Sequence, residues 1–292
     1  MRMLTPSRYL FTLLSTLLLL GVASAQDDDR PSLGGEEPEG GGLMDIEIDI
    51  GDLAVTKGDQ QSLSYEGQVQ HNAPHYKPGT LVTITHARGN VSVRCTESEG
   101  LQARIQYVVY GSSEDSMKRV GDSIGLKTYA STSNASVKST LPGLRSGVER
   151  VDTPLVVSLP REASVNVTAS DGWVQVLGCT GTVKATARKG AIFASGTYRS
   201  FDATSSSGNV EIELSGDSVL TSNSRASASA GDIVLRMPMT QKGQLTATGS
   251  DVRVAHVVSG VNSPTRVQGT LLDKGPSITL SAKGKVEVTA PK

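Results

Sequence analysis

Aromatic side chains are scarce in this chain of 292 residues, which holds one Trp, three Phe and seven Tyr. A core with so few rings must be assembled from aliphatic side chains, in layers that approach closely. Cysteine is scarcer still: Cys95 and Cys179 are the two it has, too few for a disulfide-dense scaffold and without the paired spacing of a structural zinc site. The four His residues include no H-E-x-x-H pair. Acidic and basic residues nearly balance, 29 against 28, so no overall field of one sign marks a partner for nucleic acid. Beyond the first 25 residues, no apolar run approaches the ~18 residues that a membrane-spanning helix needs.

What is present is a beat. Val156, Val165, Val174, Val183, Ile192, Phe201, Val210 and Val219 fall nine residues apart without a slip. A second apolar or small residue usually follows two positions later (Val167, Val176, Ala185, Ala194, Ala203, Ile212), and a Gly often precedes by two (Gly172, Gly181, Gly190, Gly208). Period-two alternation inside a nine-residue unit describes a short strand plus a tight corner, and the unit is too short for a helical repeat. Two units close one coil of roughly 18 residues. Val174, Ile192 and Val210 then line one sheet, and Val165, Val183, Phe201 and Val219 line the facing one. The expected fold is all-β: a parallel β-solenoid or β-helix with two strands per roughly 18-residue coil, preceded by an aperiodic β-rich N-terminal cap.

The chain divides accordingly. Residues 1–25 carry Arg2 and Arg8, an uncharged apolar run from Leu10 to Val22, and Ala23-Ser24-Ala25, the three parts of a secretory signal peptide cleaved after Ala25. No Cys follows that site to accept a lipid, and no transmembrane span is expected after cleavage, so the expected location is periplasmic or secreted. Residues 26–43 read as an acidic, Gly-rich disordered arm. Over residues 26–52 ten acids face one base, Arg30, about −9 in charge, and the rest of the mature chain carries about +6. That arm is a solvating tether or a shield for a mildly basic body; spread evenly, +6 makes no patch. Residues 44–150 are β-rich without the beat, and a Ser/Thr/Gly/Pro-rich stretch at 131–147 reads as an exposed loop. Residues 151–292 hold the repeats, with a slip near 222–230 expected to project as a longer loop or bulge.

The cysteines lie in similar settings, G-N-V-S-V-R-C and G-W-V-Q-V-L-G-C. If those strands are neighbouring rungs, Cys95 and Cys179 can bridge in an oxidising compartment; otherwise they are two small buried side chains.

Catalytic and metal motifs are weak. The nine-residue period invites comparison with calcium-binding G-G-x-G-x-D repeats, but no Asp recurs in the corners. G-D-S-I-G at 121–125 matches a nucleophile elbow around Ser123, yet lacks the strand, turn and helix that such an elbow needs. The histidines read as scattered surface residues, His71 and His75 in a Pro-containing loop. Glu211 and Glu213 share one outward strand face without partner cations in the eighteen-residue register, and Lys184 stacks on Asp202 as a surface charge pair. Catalytic, cofactor and metal sites are therefore expected to number none. The least ordinary surface feature is Trp173 with Leu177 and Phe193 on one outward face. Either it docks a protein or a sugar ring, or the N-terminal section or the 131–147 loop covers it.

T-A-S-D-G-W-V-Q-V, A-R-K-G-A-I-F-A, S-S-S-G-N-V-E-I, S-A-G-D-I-V-L and A-T-G-S-D-V-R-V make the chain resemble the bacterial "putative adhesin" β-solenoid family from about residue 80 to 290. The resemblance implies an extracytoplasmic structural or binding domain without a known catalytic centre. Together these readings give a non-catalytic, exported protein of the cell envelope whose partner is an unknown envelope or surface protein or a glycan, with no nucleic acid and no cofactor expected and the oligomeric state unknown. The alternatives are a polysaccharide-processing enzyme on a β-helix and a binder of anionic polymers regulated by the acidic arm.

Overall fold

The computed structural model describes residues 46–49, 63–73, 79–98, 100–131, 134–216, 218–256 and 258–291. The signal-peptide and arm assignments, and His75, lie outside these residues. Among the described residues, strands gather into two sheets, of twelve and eleven strands, and helix is confined to Glu114–Gly121.

The repeat geometry follows from alternation. In the strands Ser164–Asp171, Thr182–Lys189 and Ser200–Ser205, stacked in parallel, Val165 pairs with Val183 and Val183 with Phe201. The chain turns a corner after each and adds Val174–Leu177, Ile192–Gly196 and Val210–Leu214 to the facing sheet, where Val174 pairs with Ile192 and Ile192 with Val210. Each step is eighteen residues, so identical positions stack and one side of each strand stays dry. Val165, Val174, Val183, Ile192, Phe201 and Val210 are all within 1% of full burial. Burial of each Val or Ile contributes roughly 1.5–3 kcal/mol, against the entropy of ordering the chain. Ala185, Ala194 and Ala203 fill the second inward row, which lets the sheets approach closely.

Glycine sets the corners. A β-carbon on Gly190 would strike the carbonyl of Gly172, and one on Gly208 the carbonyl of Gly190, so the corners of successive coils stack backbone on backbone. Gly172 and Gly190 also adopt φ of +135° and +145°, where an L side chain is strained.

The two ends interrupt sequence order. Leu81–His86 and Val91–Thr96 form a rung directly beneath Ser164–Asp171 and Val174–Leu177, although some seventy residues of chain intervene. At the other end, the C-terminal strands Ser277–Ala282 and Lys285–Thr289 insert between the coil of Ser224–Ala228 and Ile233–Arg236 and the outer coil of Gly243–Thr248 and Asp251–Val254. An antiparallel hairpin, Val258–Ser263 with Arg266–Leu271, closes that edge.

Several expectations change. Val156 is half-buried and Val219 is 60% exposed, so neither belongs to the core. Around Val156 the strand alternation points Leu155, Val157 and Leu159 inward instead. Val219 lies in the connection between Val210–Leu214 and Ser224–Ala228, which is five residues longer than the repeat; Ser224 takes the place beyond Phe201, and Leu220 turns inward. The slip thus precedes 222–230. Within 131–147, Asn134–Thr140 is a strand of the eleven-stranded sheet. The segment at 114–121 is a helix, capped by Ser113 accepting from the Ser116 amide at 3.3 Å, with Glu114 and Asp115 at its positive end and Met117 and Val120 buried.

Candidate binding faces

The outward side of the twelve-stranded sheet carries the three residues singled out by sequence. Trp173, 40% exposed, immediately precedes the strand Val174–Leu177; its amide donates to Asn90 Oδ1 at 3.1 Å, and its carbonyl accepts from the Val91 amide at 2.9 Å. These backbone bonds fix where the indole leaves the sheet. Across the next strand, register sets Gln175 beside Phe193 and Leu177 beside Ser195, so Phe193 stands diagonally between Trp173 and Leu177. Ala191 lies opposite Trp173, a small neighbour that leaves room beside the ring. Phe193 and Leu177 are half-buried. The strand Asn134–Thr140 from the stretch expected to cover this face lies in the opposite sheet.

On the other flank the same surface becomes polar. Ser92 donates to Gln175 Oε1 at 3.2 Å, and Arg94 is paired with Leu177. Two strands further on, Gln70, Gln102, Arg104, Val156 and Ser158 line a shallow depression of about 160 Å³. Val156, misplaced from the core by the nine-residue count, is part of that lining. An aromatic and apolar strip thus adjoins amide, hydroxyl and guanidinium groups on one rigid sheet, the mixture that seats an amphipathic ring or a polar side chain.

The catalytic-looking features dissolve in the structure. Ser123 follows its helix rather than preceding one, and its hydroxyl donates to the carbonyls of Arg119 and Val120 at 3.0 and 2.8 Å. Glu211 has a cation after all, because the longer connection brings Arg236 into register with Glu213, and the Arg236 guanidinium bonds Glu211. That hydrogen bond raises the pKa of Arg236 above its ordinary value. Glu287 stands beside Val234 on the next rung and Arg253 beyond it, a ladder of alternating charge. Lys184 and Asp202 lie 3.8 Å apart on exposed positions of the other sheet.

Three histidines are interior, not on the surface. His71 belongs to a strand and touches Thr128 Oγ1 at 3.0 Å. His86 is fully buried between Ser139 Oγ at 2.8 Å and the Thr153 carbonyl at 2.7 Å, and burial pushes its pKa down to about 4. His256 Nε2 lies 3.2 Å from the Met237 carbonyl. Among the described residues, no three His, Cys, Asp or Glu gather as a metal site, and no helix is long and apolar enough to cross a membrane.

Cys95 and Cys179 form a disulfide with Cα atoms 4.8 Å apart, joining the end of Val91–Thr96 to the corner after Val174–Leu177. The bond lies at the corner next to Leu177 and ties the strand that follows Trp173 to the rung beneath it.

Sequence reasoning missed the charge on the opposite face. The outward side of the eleven-stranded sheet presents Lys127, Lys138, Lys184, Arg188, Arg225 and Arg266 against one carboxylate, Asp202. These residues are scattered over 140 positions, and only strand stacking brings them together.

These features define a two-sheet β-solenoid with its candidate binding residues on the outward faces. The chain belongs to the Toastrack DUF4097 family, whose model matches residues 81–260. Among solved structures it is similar to a "putative cell adhesion protein" from Clostridium sporogenes, with 13% identity and a TM-score of 0.45 over 80% of this chain and 100% of the other. It is also similar to a "putative adhesin" from Bacteroides fragilis, with 12% identity and a TM-score of 0.37 over 76% of this chain and 96% of the other. No curated protein matches the sequence.

Proposed function

We propose that the chain is an exported, non-catalytic binding protein of the bacterial cell envelope, which contacts a glycan or protein through the Trp173 face. The observation that carries this reading is the exposed Trp173, 40% accessible in a chain with no other Trp, set beside Phe193, Leu177 and the Gln175 between them, with Arg94 and the Gln102–Arg104 depression on the far flank. Exposed indole surface is retained at a cost unless a partner covers it.

A glycan-processing activity on this face finds little support. Hydrolysis of that kind needs two carboxylates free to act as acid and base or nucleophile, whereas Glu211 is bound to Arg236. The address rests on the signal-like residues 1–25.

Because Trp173 is the sole Trp, its fluorescence reports on this face alone. Titration with oligosaccharides and solubilised envelope proteins should shift or quench the emission saturably. Trp173→Ser and Phe193→Ser should each weaken binding of the same ligand about tenfold or more while leaving the unfolding midpoint in place. A ligand held equally well by both variants would remove this face from the function.

A further inference from the structure

We propose that the outward face of the eleven-stranded sheet is a docking surface for a linear polyanionic glycan, independent of the Trp173 face on the opposite sheet. The first support is charge. The face carries six cations to one carboxylate, whereas the outward positions of the twelve-stranded sheet interleave both signs, as Arg236 with Glu211 and Arg253 with Glu287 show. Among the described residues, Lys127 and Lys138 take part in no ion pair, and Lys184 and Arg225 flank the single carboxylate Asp202, two cations to one anion.

Lys127 and Lys138 are moreover directly opposed across an antiparallel pair. Like charges in that position destabilise a sheet, and an anion bound between them relieves the repulsion.

The second support is shape. From Gly125–Ala130 to Arg266–Leu271 the face crosses ten strands, about 43 Å at the usual spacing between neighbours. Along that axis Lys138 and Lys184 are three rungs apart, Lys184 and Arg225 two, and Arg225 and Arg266 three, so cations recur every 10–14 Å or so. Between them runs an unbroken row of hydroxyls, one per strand, from Thr85 through Thr168, Thr186 and Thr204 to Thr248. A polymer lying across the strands meets recurring charge and continuous hydrogen-bonding partners.

The third support is what the face has little of. Its large apolar side chains sit toward its ends, Leu81 and Tyr129 at one and Val261 at the other, so it lacks the apolar centre of a protein interface. It also lacks a series of rings on which nucleobases stack. Polyanionic sugar needs neither.

The test uses full-length protein and polygalacturonate as the probe, with a neutral linear β-glucan and phosphatidylglycerol vesicles in parallel. Expected is binding to polygalacturonate at low ionic strength that weakens steeply with salt. The exposed substitutions Lys138→Gln, Lys184→Gln and Arg225→Gln combined should lower affinity at least tenfold and flatten the salt dependence. Asp202→Asn should raise affinity about twofold, and Trp173→Ser should leave it unchanged. Undiminished binding by the triple variant, no binding to polygalacturonate at low salt, or vesicle binding without polymer binding would each overturn the proposal. Loss of polymer binding in Trp173→Ser would do the same and return the ligand to the other face.

Discussion

Cys95 and Cys179 are 84 residues apart in sequence and covalently joined in space, at the junction where the rung Leu81–Thr96 is stacked beneath the first regular coil. Closing so long a loop restricts the unfolded chain, a stabilisation of about 4.5 kcal/mol in the chain-entropy account. The double variant Cys95→Ala, Cys179→Ala should therefore lose about that much in urea unfolding, and reductant should have no further effect on it. An unchanged midpoint would show that neighbouring rungs hold this junction unaided.

The glycine ladder gives a second expectation. At Gly190 an added methyl would both strike the carbonyl of Gly172 and hold φ at +145°. Gly190→Ala should cost about 3 kcal/mol. Gly125→Ala, where a β-carbon meets nothing within 4 Å, should stay within about 0.5 kcal/mol of the parent. Comparable losses at both sites would mean that corner stacking is not what fixes glycine in the repeat.

Acid should loosen the N-terminal end first. His86 is buried as the neutral imidazole, its pKa lowered from 6.5 to about 4 chiefly by desolvation, and burial lowers His71 as well. Since the unfolded chain takes up the proton more readily, stability is complete above about pH 6.5 and falls as pH drops from there towards 4. For His86 alone the loss is about 3 kcal/mol. Unfolding free energies across that range should show the slope in the parent and a flatter one in His86→Gln, which starts lower because it forfeits the packed ring. Parallel slopes would assign the acid sensitivity to carboxylates instead.

Much of this architecture is legible because the repeat is regular: once Val174, Ile192 and Val210 are eighteen apart, strand, corner and register follow. What sequence conceals is order at the ends. Nothing local tells Leu81–His86 to pair with Ser164–Asp171, or Ser277–Ala282 to enter between two earlier strands. Binding surfaces suffer the same way. Trp173 and Phe193 are close enough in sequence to be placed on one face, whereas Lys127, Arg225 and Arg266 share a face only after the ends are folded in. Helix Glu114–Gly121 is short and sits among turn-forming residues, so its capping Ser113 reads equally well as part of a turn.

The change of register after Leu214 can be tested at two adjacent residues. A strict nine-residue count puts Val219 inside and Leu220 outside, whereas in the structure Val219 is 60% exposed and Leu220 1%. Leu220 is held there from both ends: its side chain joins the core, and its amide donates to Gln241 Oε1 at 3.1 Å, the Gln241 side chain itself being buried. Leu220→Ala should thus cost 2–5 kcal/mol or so through the cavity it leaves, while Val219→Ser should fall within about 0.5 kcal/mol of the parent. The reverse ranking, read from unfolding midpoints at constant m-value, would restore the uninterrupted beat and shift every later rung by the five residues that the connection absorbs.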